Sequence, residues 1–282
     1  MIYTKKYLKY YLIIVIVSML PLMCIMAQPK PFNQNIEKYR IIDTVSHIVT
    51  YKLKFVKDTI KRTTEEDIIV LQIGRHCSKS YSKTMYDADS VATAWIKKGA
   101  QVVPGQKKSV PPMDVYKDYA TKKSMITYRS ILKGPIYQYE EDISPMKWTL
   151  LSVKGNILSY SCQKAITRFR GRTYEAWFTK DIPLPEGPWK FGGLPGLILL
   201  IKDNRDHYVF ECIGIQQAKQ NTPIKYWKWK YEPIERLQLQ KIAKRMSLDT
   251  YNYLISIDQP VAGDPIKLIK SLVYPYNPIE QE

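Results

Sequence analysis

The sequence predicts a mainly β protein, a β-rich α+β chain built on a curved antiparallel meander sheet with a few short helices. Three observations predict it. Between residues 125 and 215, β-prone runs follow one another with only short turn signals between them, at Lys154-Gly155-Asn156, Arg170-Gly171 and Asp203-Asn204-Arg205-Asp206. Such links can join only antiparallel neighbours, because a parallel partner needs a crossover of about a dozen residues or more. The run around Cys162 alternates, with Leu158, Tyr160, Cys162 and Ile166 on one side and Ser159, Ser161, Gln163 and Thr167 on the other, so one face is expected to be buried and one wet. Aromatic content is carried mainly by tyrosine, 22 residues, which suits strands.

Taken in order, residues 1–27 read as a secretory signal peptide: Lys5, Lys6 and Lys9 precede an apolar run over 12–20, and Pro21 ends it shortly before Ala27-Gln28. The run is short for a membrane anchor, which needs about 20 apolar residues. Cys24 follows Leu22-Met23, where lipid attachment would require a small residue. Residues 28–43, with Pro29 and Pro31, read as a mobile leader, and 44–282 as a single β-rich domain. Val45, Ile48, Tyr51, Leu53 and Phe55 mark a strand over 44–56; the run 66–73 is apolar on both faces and should be central. Asp89-Ser90 offers a cap for a helix over 91–98 that Gly99 stops. The stretch 99–112, rich in Lys, Gly and Pro, reads as a loop. Strands follow at 125–131, 147–153, 157–169, 172–180, 197–202 and 207–215. A helix is expected over 233–246, a strand over 268–273, and an extended tail over 274–279.

The chain carries 43 Lys and Arg against 26 Asp and Glu, a net charge of +17, and removal of the leader takes away only three lysines. That excess favours anionic partners such as an envelope component or a glycan, although solubility alone also accounts for it. No nucleic-acid-binding signature is present. Of four cysteines, Cys77, Cys162 and Cys212 lie beyond residue 27, so at most one internal disulfide can form. Cys162 and Cys212 are the pair expected in an oxidising compartment, and three small buried thiols are the other reading.

Phe191-Gly192 is followed by Gly193-Leu194-Pro195-Gly196-Leu197-Ile198. Around this hexapeptide lie Tyr160-Ser161-Cys162-Gln163-Lys164-Ala165, Phe169-Arg170-Gly171-Arg172, Ala176-Trp177-Phe178-Thr179, Ile182-Pro183 and Gly187-Pro188-Trp189-Lys190-Phe191, with Leu71-Gln72-Ile73-Gly74 early and Tyr276-Asn277-Pro278-Ile279-Glu280 at the close. This pattern resembles the GLPGLI family of exported Gram-negative bacterial proteins. The resemblance implies a signal peptide and a gene neighbourhood shared with TonB-dependent outer-membrane receptors. It implies no activity, and no catalytic or ligand residue carries over from it.

The residues themselves offer few sites. Leu194-Pro195-Gly196-Leu197 suits a type II turn, so the motif reads first as a structural corner; without a Gly-Lys-Ser/Thr ending it is not a phosphate loop. His76-Cys77 is half a metal set, but neighbours on a strand face opposite ways and no Cys-x-x-Cys or His-x-x-x-His exists, so no metal and no cofactor are expected. No Gly-x-Ser-x-Gly elbow is present, and Asp206-His207 reads as a turn. Glu140-Glu141-Asp142 in a Tyr-rich loop could serve glycoside cleavage or be a solvated turn. In Tyr226-Trp227-Lys228-Trp229-Lys230-Tyr231 the rings and lysines alternate; Trp227, Lys228, Trp229 and Lys230 are candidates for a partner or surface contact, against an edge strand whose Trp side packs on the sheet. The expectation is an exported periplasmic or outer-membrane-associated binding or escort protein that supports outer-membrane transport. A hydrolase with a dispersed site and a docking module for an outer-membrane receptor are the alternatives.

Overall fold

The computed structural model describes residues 28–143, 146–259 and 261–282; the segment read as a signal peptide lies outside the described residues. The elements run β1 (Tyr39–Asp58), β2 (Thr63–Gly74), β3 (Cys77–Ser82), α1 (Lys83–Lys97), β4 (Met113–Asp118), β5 (Lys123–Arg129), β6 (Ile136–Asp142), β7 (Thr149–Ile157), β8 (Tyr160–Phe169), β9 (Arg172–Thr179), β10 (Leu197–Asp203), β11 (Tyr208–Gln217), β12 (Pro223–Trp227), β13 (Tyr231–Pro233), α2 (Arg236–Leu248), α3 (Thr250–Ser256) and α4 (Pro265–Ser271). The fold is mainly β, 45% strand and 17% helix, on one large open sheet. Its strand order is β13-β6-β5-β4-β3-β2-β1-β11-β10-β9-β8-β7, with β12 paired to the start of β1, and every pairing is antiparallel except β13 with β6.

β1 shows why the chain builds this sheet. Val49, Tyr51, Leu53 and Phe55 alternate along it and are buried, while Lys52 and Lys54 take the other face. β2 is central, between β3 and β1. Arg170, at the β8–β9 turn, pairs with Glu141 of β6 at 2.8 Å, although these strands are far apart in the order. The sheet therefore curls, and its inner face closes on itself. The expected meander is present from β7 to β11, each strand beside the next in sequence.

Several local expectations are corrected. Gly155 and Asn156 stay within β7, and the chain turns at Leu158-Ser159, both at positive φ (47° and 70°). Gly155 serves a close approach instead: a Cβ there would lie 2.9 Å from the Trp177 ring. In β8, Cys162 is buried as expected, but further along Ala165 and Thr167 take the buried side and Ile166 is 36% exposed, the reverse of the reading at that end, where Thr167 lies opposite the buried Tyr174 and donates to the Lys147 carbonyl. The first helix starts at Lys83, capped by Ser82, and Asp89 sits inside it. Glu140, Glu141 and Asp142 end strand β6, not a loop. The stretch 268–273 is largely helical, in α4. The leader is not free: Gln34 N–H bonds Asp89 and Ile36 N–H bonds Thr93.

Cys162 and Cys212 are thiols, both buried, and no disulfide joins them. They sit on β8 and β11 with two strands between. Burial pushes the Cys212 thiol up to about 11 and the Cys77 thiol up to about 12, and raises Cys162 as well. Since the thiolate is the reactive form, folded protein at neutral pH should leave Cys77, Cys162 and Cys212 unlabelled by an aromatic disulfide reagent, and denaturant should release all three. Labelling of a single thiol after unfolding would show that the pair is bonded.

Candidate functional site

A cavity of about 230 Å³ opens between the inner face of the sheet and the C-terminal part of the chain. Leu53 and Phe55 of β1, Val115 of β4, Tyr128 of β5, Tyr139 of β6, and Tyr208 and Phe210 of β11 form its floor, and Trp189 closes one side. Leu239 and Ala243 of α2 and the strap Pro275-Tyr276-Asn277-Pro278-Ile279-Glu280 form its roof. The wall is dominated by rings and aliphatic groups, and its charged members are Lys57, Arg236 and Glu280. No histidine lines it.

Three buried charge clusters hold these parts together. Arg172 donates to Asp203 (2.6 Å), to the Asn277 side chain (2.7 Å) and to the Pro278 carbonyl (2.6 Å), tying the strap to the sheet. Tyr208 donates to the Asn277 carbonyl (2.5 Å), and the Asn277 amide donates to the Val56 carbonyl (2.6 Å). Lys190 bridges Glu141 (2.5 Å) and Glu280, and donates to Tyr139 (2.9 Å); Arg170 and Arg236 also reach Glu141, and Arg236 reaches Glu280. Both carboxylates nearest the cavity are thus committed to cations. Burial raises the Tyr139 hydroxyl, and the Glu280 and Glu141 charges add to the shift. The third cluster, Lys117 with Glu186 (2.9 Å) and the Phe191 carbonyl (2.6 Å), anchors the loop before β10.

That loop carries Gly193, Leu194, Pro195, Gly196, Leu197 and Ile198. The expected type II turn is replaced by a tighter one: Gly196 N–H bonds the Leu194 carbonyl (2.7 Å) with Pro195 between them, and Leu197 N–H goes to Ile182 (3.0 Å). Leu194, Leu197 and Ile198 are buried, Tyr51 donates to the Ile198 carbonyl (2.7 Å), and Trp148 donates to Gly192 (2.9 Å). The motif is a corner locked into the inner face beside the cavity wall formed by Trp189.

On the opposite face, β12 ends at Trp227 and β13 begins at Tyr231, so the expected continuous ribbon is interrupted. Trp227, Trp229 and Tyr231 do line up, with centroids 5.9 and 6.1 Å apart. Trp227 covers the Lys79 ammonium at 4.5 Å, with Tyr81 and Tyr116 also around it, and Trp229 covers Arg129 at 4.4 Å. Asp114 pairs with Lys79 (3.4 Å) and Asp89 with Arg129 (2.6 Å). The rings thus face inward on the protein's own cations, and Lys228 and Lys230 are exposed. His76 is exposed while Cys77 is buried, and Asp206 pairs with Lys202 (2.9 Å). Among the described residues no three His, Cys, Asp or Glu side chains are grouped to hold a metal, and no helix is long and apolar enough to cross a membrane.

Sequence reasoning missed the cavity and all three charge clusters. One signal was there: Lys190 stands between Trp189 and Phe191, a cation placed among residues that must be buried.

The family model described as "Protein of unknown function (Porph_ging)" matches residues 166–200, from the end of β8 through the loop into β10. No curated protein matches the chain. Among solved structures, PNGF-II in the P21 space group is 17% identical with a TM-score of 0.48, and in the C2 space group 16% identical with a TM-score of 0.46. Each match covers 70% of this chain and 32% of the other, so the chain spans about a third of the length of the solved structures it matches. Over the stretch that builds the clamped loop, then, the chain is similar to a family of unknown function.

Proposed function

We propose that this is a non-enzymatic binding or escort protein that holds a small, mainly apolar molecule between its sheet and its C-terminal strap. We further propose that it is an exported cell-envelope protein of the GLPGLI type that serves outer-membrane transport. The observation that carries the binding reading is the cavity wall of Phe55, Tyr128, Tyr139, Trp189, Tyr208, Phe210 and Leu239. A concave, largely apolar and preformed space with few polar groups is the usual form of a small-molecule site. Its carboxylate Glu280 is neutralised by Lys190 and Arg236, and no histidine stands beside it to act as a base, which weighs against hydrolysis. The lysine-rich surface and Lys5, Lys6 and Lys9 ahead of an apolar run support the envelope setting.

Trp189 in the wall gives a direct readout. Titration with small apolar alcohols should change tryptophan fluorescence saturably with one molecule bound per chain, and Leu239→Trp, which fills the roof, should abolish it. Absence of saturable binding in the folded wild-type protein would end the binding reading.

A further inference from the structure

Resting on that reading of the cavity, we infer that its ligand is a small organic monoanion, an apolar body carrying one carboxylate, with the carboxylate meeting Lys57. The charges along the wall are not equivalent. Arg236 is spent on Glu280 (3.1 Å), on Glu141 and on the carbonyl of Glu282 (2.6 Å), and Glu280 is held by Lys190 and Arg236. Lys57 differs from both.

Lys57 lies on β1 just past Phe55, at a register shift against β2, and lines the cavity with Phe55 and Val56. It is about half buried, and among the described residues no ion pair or hydrogen bond reaches its ammonium. Burial lowers its pKa; Glu65 opposes that shift from beyond ion-pair distance, and the neighbouring Lys30 adds to it. Lys30 is itself occupied, donating to the carbonyls of Gln106 and Lys107, and so brings that loop to the cavity end where Ser109, Val110 and Pro111 line the wall. The result is a greasy, ring-lined space whose wall carries a partly desolvated cation with no ion-pair partner among the described residues. A partly buried charge is retained at a cost unless something pairs with it, and a carboxylate on an apolar body supplies that pair while the body fills the space behind it. At about 230 Å³ the space falls below the ~300–1,000 Å³ of drug-sized sites. That fits a body of about ten non-hydrogen atoms.

The test uses the mature chain with octanoate and octanol as matched probes, read by tryptophan fluorescence and calorimetry. Octanoate should bind about tenfold more tightly than octanol, the gain expected of one charge-assisted contact. Lys57→Gln should remove that preference, and Lys57→Arg should keep it. Since Lys57 has no partner to orphan, both variants should fold, which circular dichroism checks. If octanol binds as well as octanoate, or if K57Q leaves the preference intact, the inference is overturned while the cavity reading stands. Failure of both probes to bind would overturn the two together.

Discussion

Arg172→Ala is expected to lower the unfolding free energy by about 3–5 kcal/mol, the loss typical when one partner of a buried ion pair is removed. Arg172 and Asp203 have side chains only 2% and 1% exposed, so the variant leaves a buried carboxylate without its cation. The same side chain also holds Asn277 and the Pro278 carbonyl, and the Gln281 amide oxygen accepts from it at 3.2 Å. Loss of Arg172 should therefore loosen the strap that roofs the cavity as well as the sheet. Urea denaturation gives the stability, and hydrogen exchange at 276–281 should report the strap opening before the sheet does. Asp203→Asn should cost less, because its one amide oxygen can still accept from Arg172 or from the Tyr208 backbone N–H, although not from both, since these bond the two different carboxylate oxygens. If R172A unfolds within about 1 kcal/mol of wild type, the clamp contributes nothing of consequence.

Gly196→Ala should be still more damaging, and should prevent accumulation of folded protein. A Cβ at Gly196 would stand 1.9 Å from the Thr179 carbonyl oxygen, and that backbone is fixed by pairing of Leu197 with Thr179 between β10 and β9. The residue also holds φ +153°, a conformation that side chains rarely take. The loop and the strand cannot both yield, so the cost should exceed ~4 kcal/mol. Gly193→Ala is the control. Its φ is +83° but nothing lies within 4 Å of the added carbon, so it should cost only ~1–2 kcal/mol. Thermal melts of the two variants side by side decide the matter, and equal melting temperatures would refute the close-approach account.

The contrast between these glycines shows where reading a sequence stops. Both belong to one legible motif, and Pro195 between apolar neighbours announces a corner. Which glycine meets a backbone depends on Thr179, which reaches it only through the β9–β10 pairing. Strands β1, β2, β5 and β7–β11 were legible because period-two alternation and Gly, Asn and Asp turn signals are local. Strands β3, β4 and β6 were not. Cys77–Ser82 carries Ser, Lys and Tyr, with Ser80 receiving the Trp189 N–H and Lys79 covered by Trp227, so its burial depends on partners more than a hundred residues away. The error at Asp89 has the same root: it looks like a helix cap until Arg129 and Gln34 are seen to claim its carboxylate.

By itself the sequence determined the fold class, the meander from β7 to β11 and the structural nature of the Gly-Leu-Pro-Gly-Leu-Ile corner, because each follows from alternation, short connections and the backbone limits of Gly and Pro. Only the tertiary structure decided that the sheet curls, that Arg172 and Lys190 fasten a C-terminal strap over it, and that Lys57 lines an aromatic cavity without an ion-pair partner among the described residues. Burial and charge pairing are properties of neighbours in space, and for these residues the neighbours lie far apart along the chain.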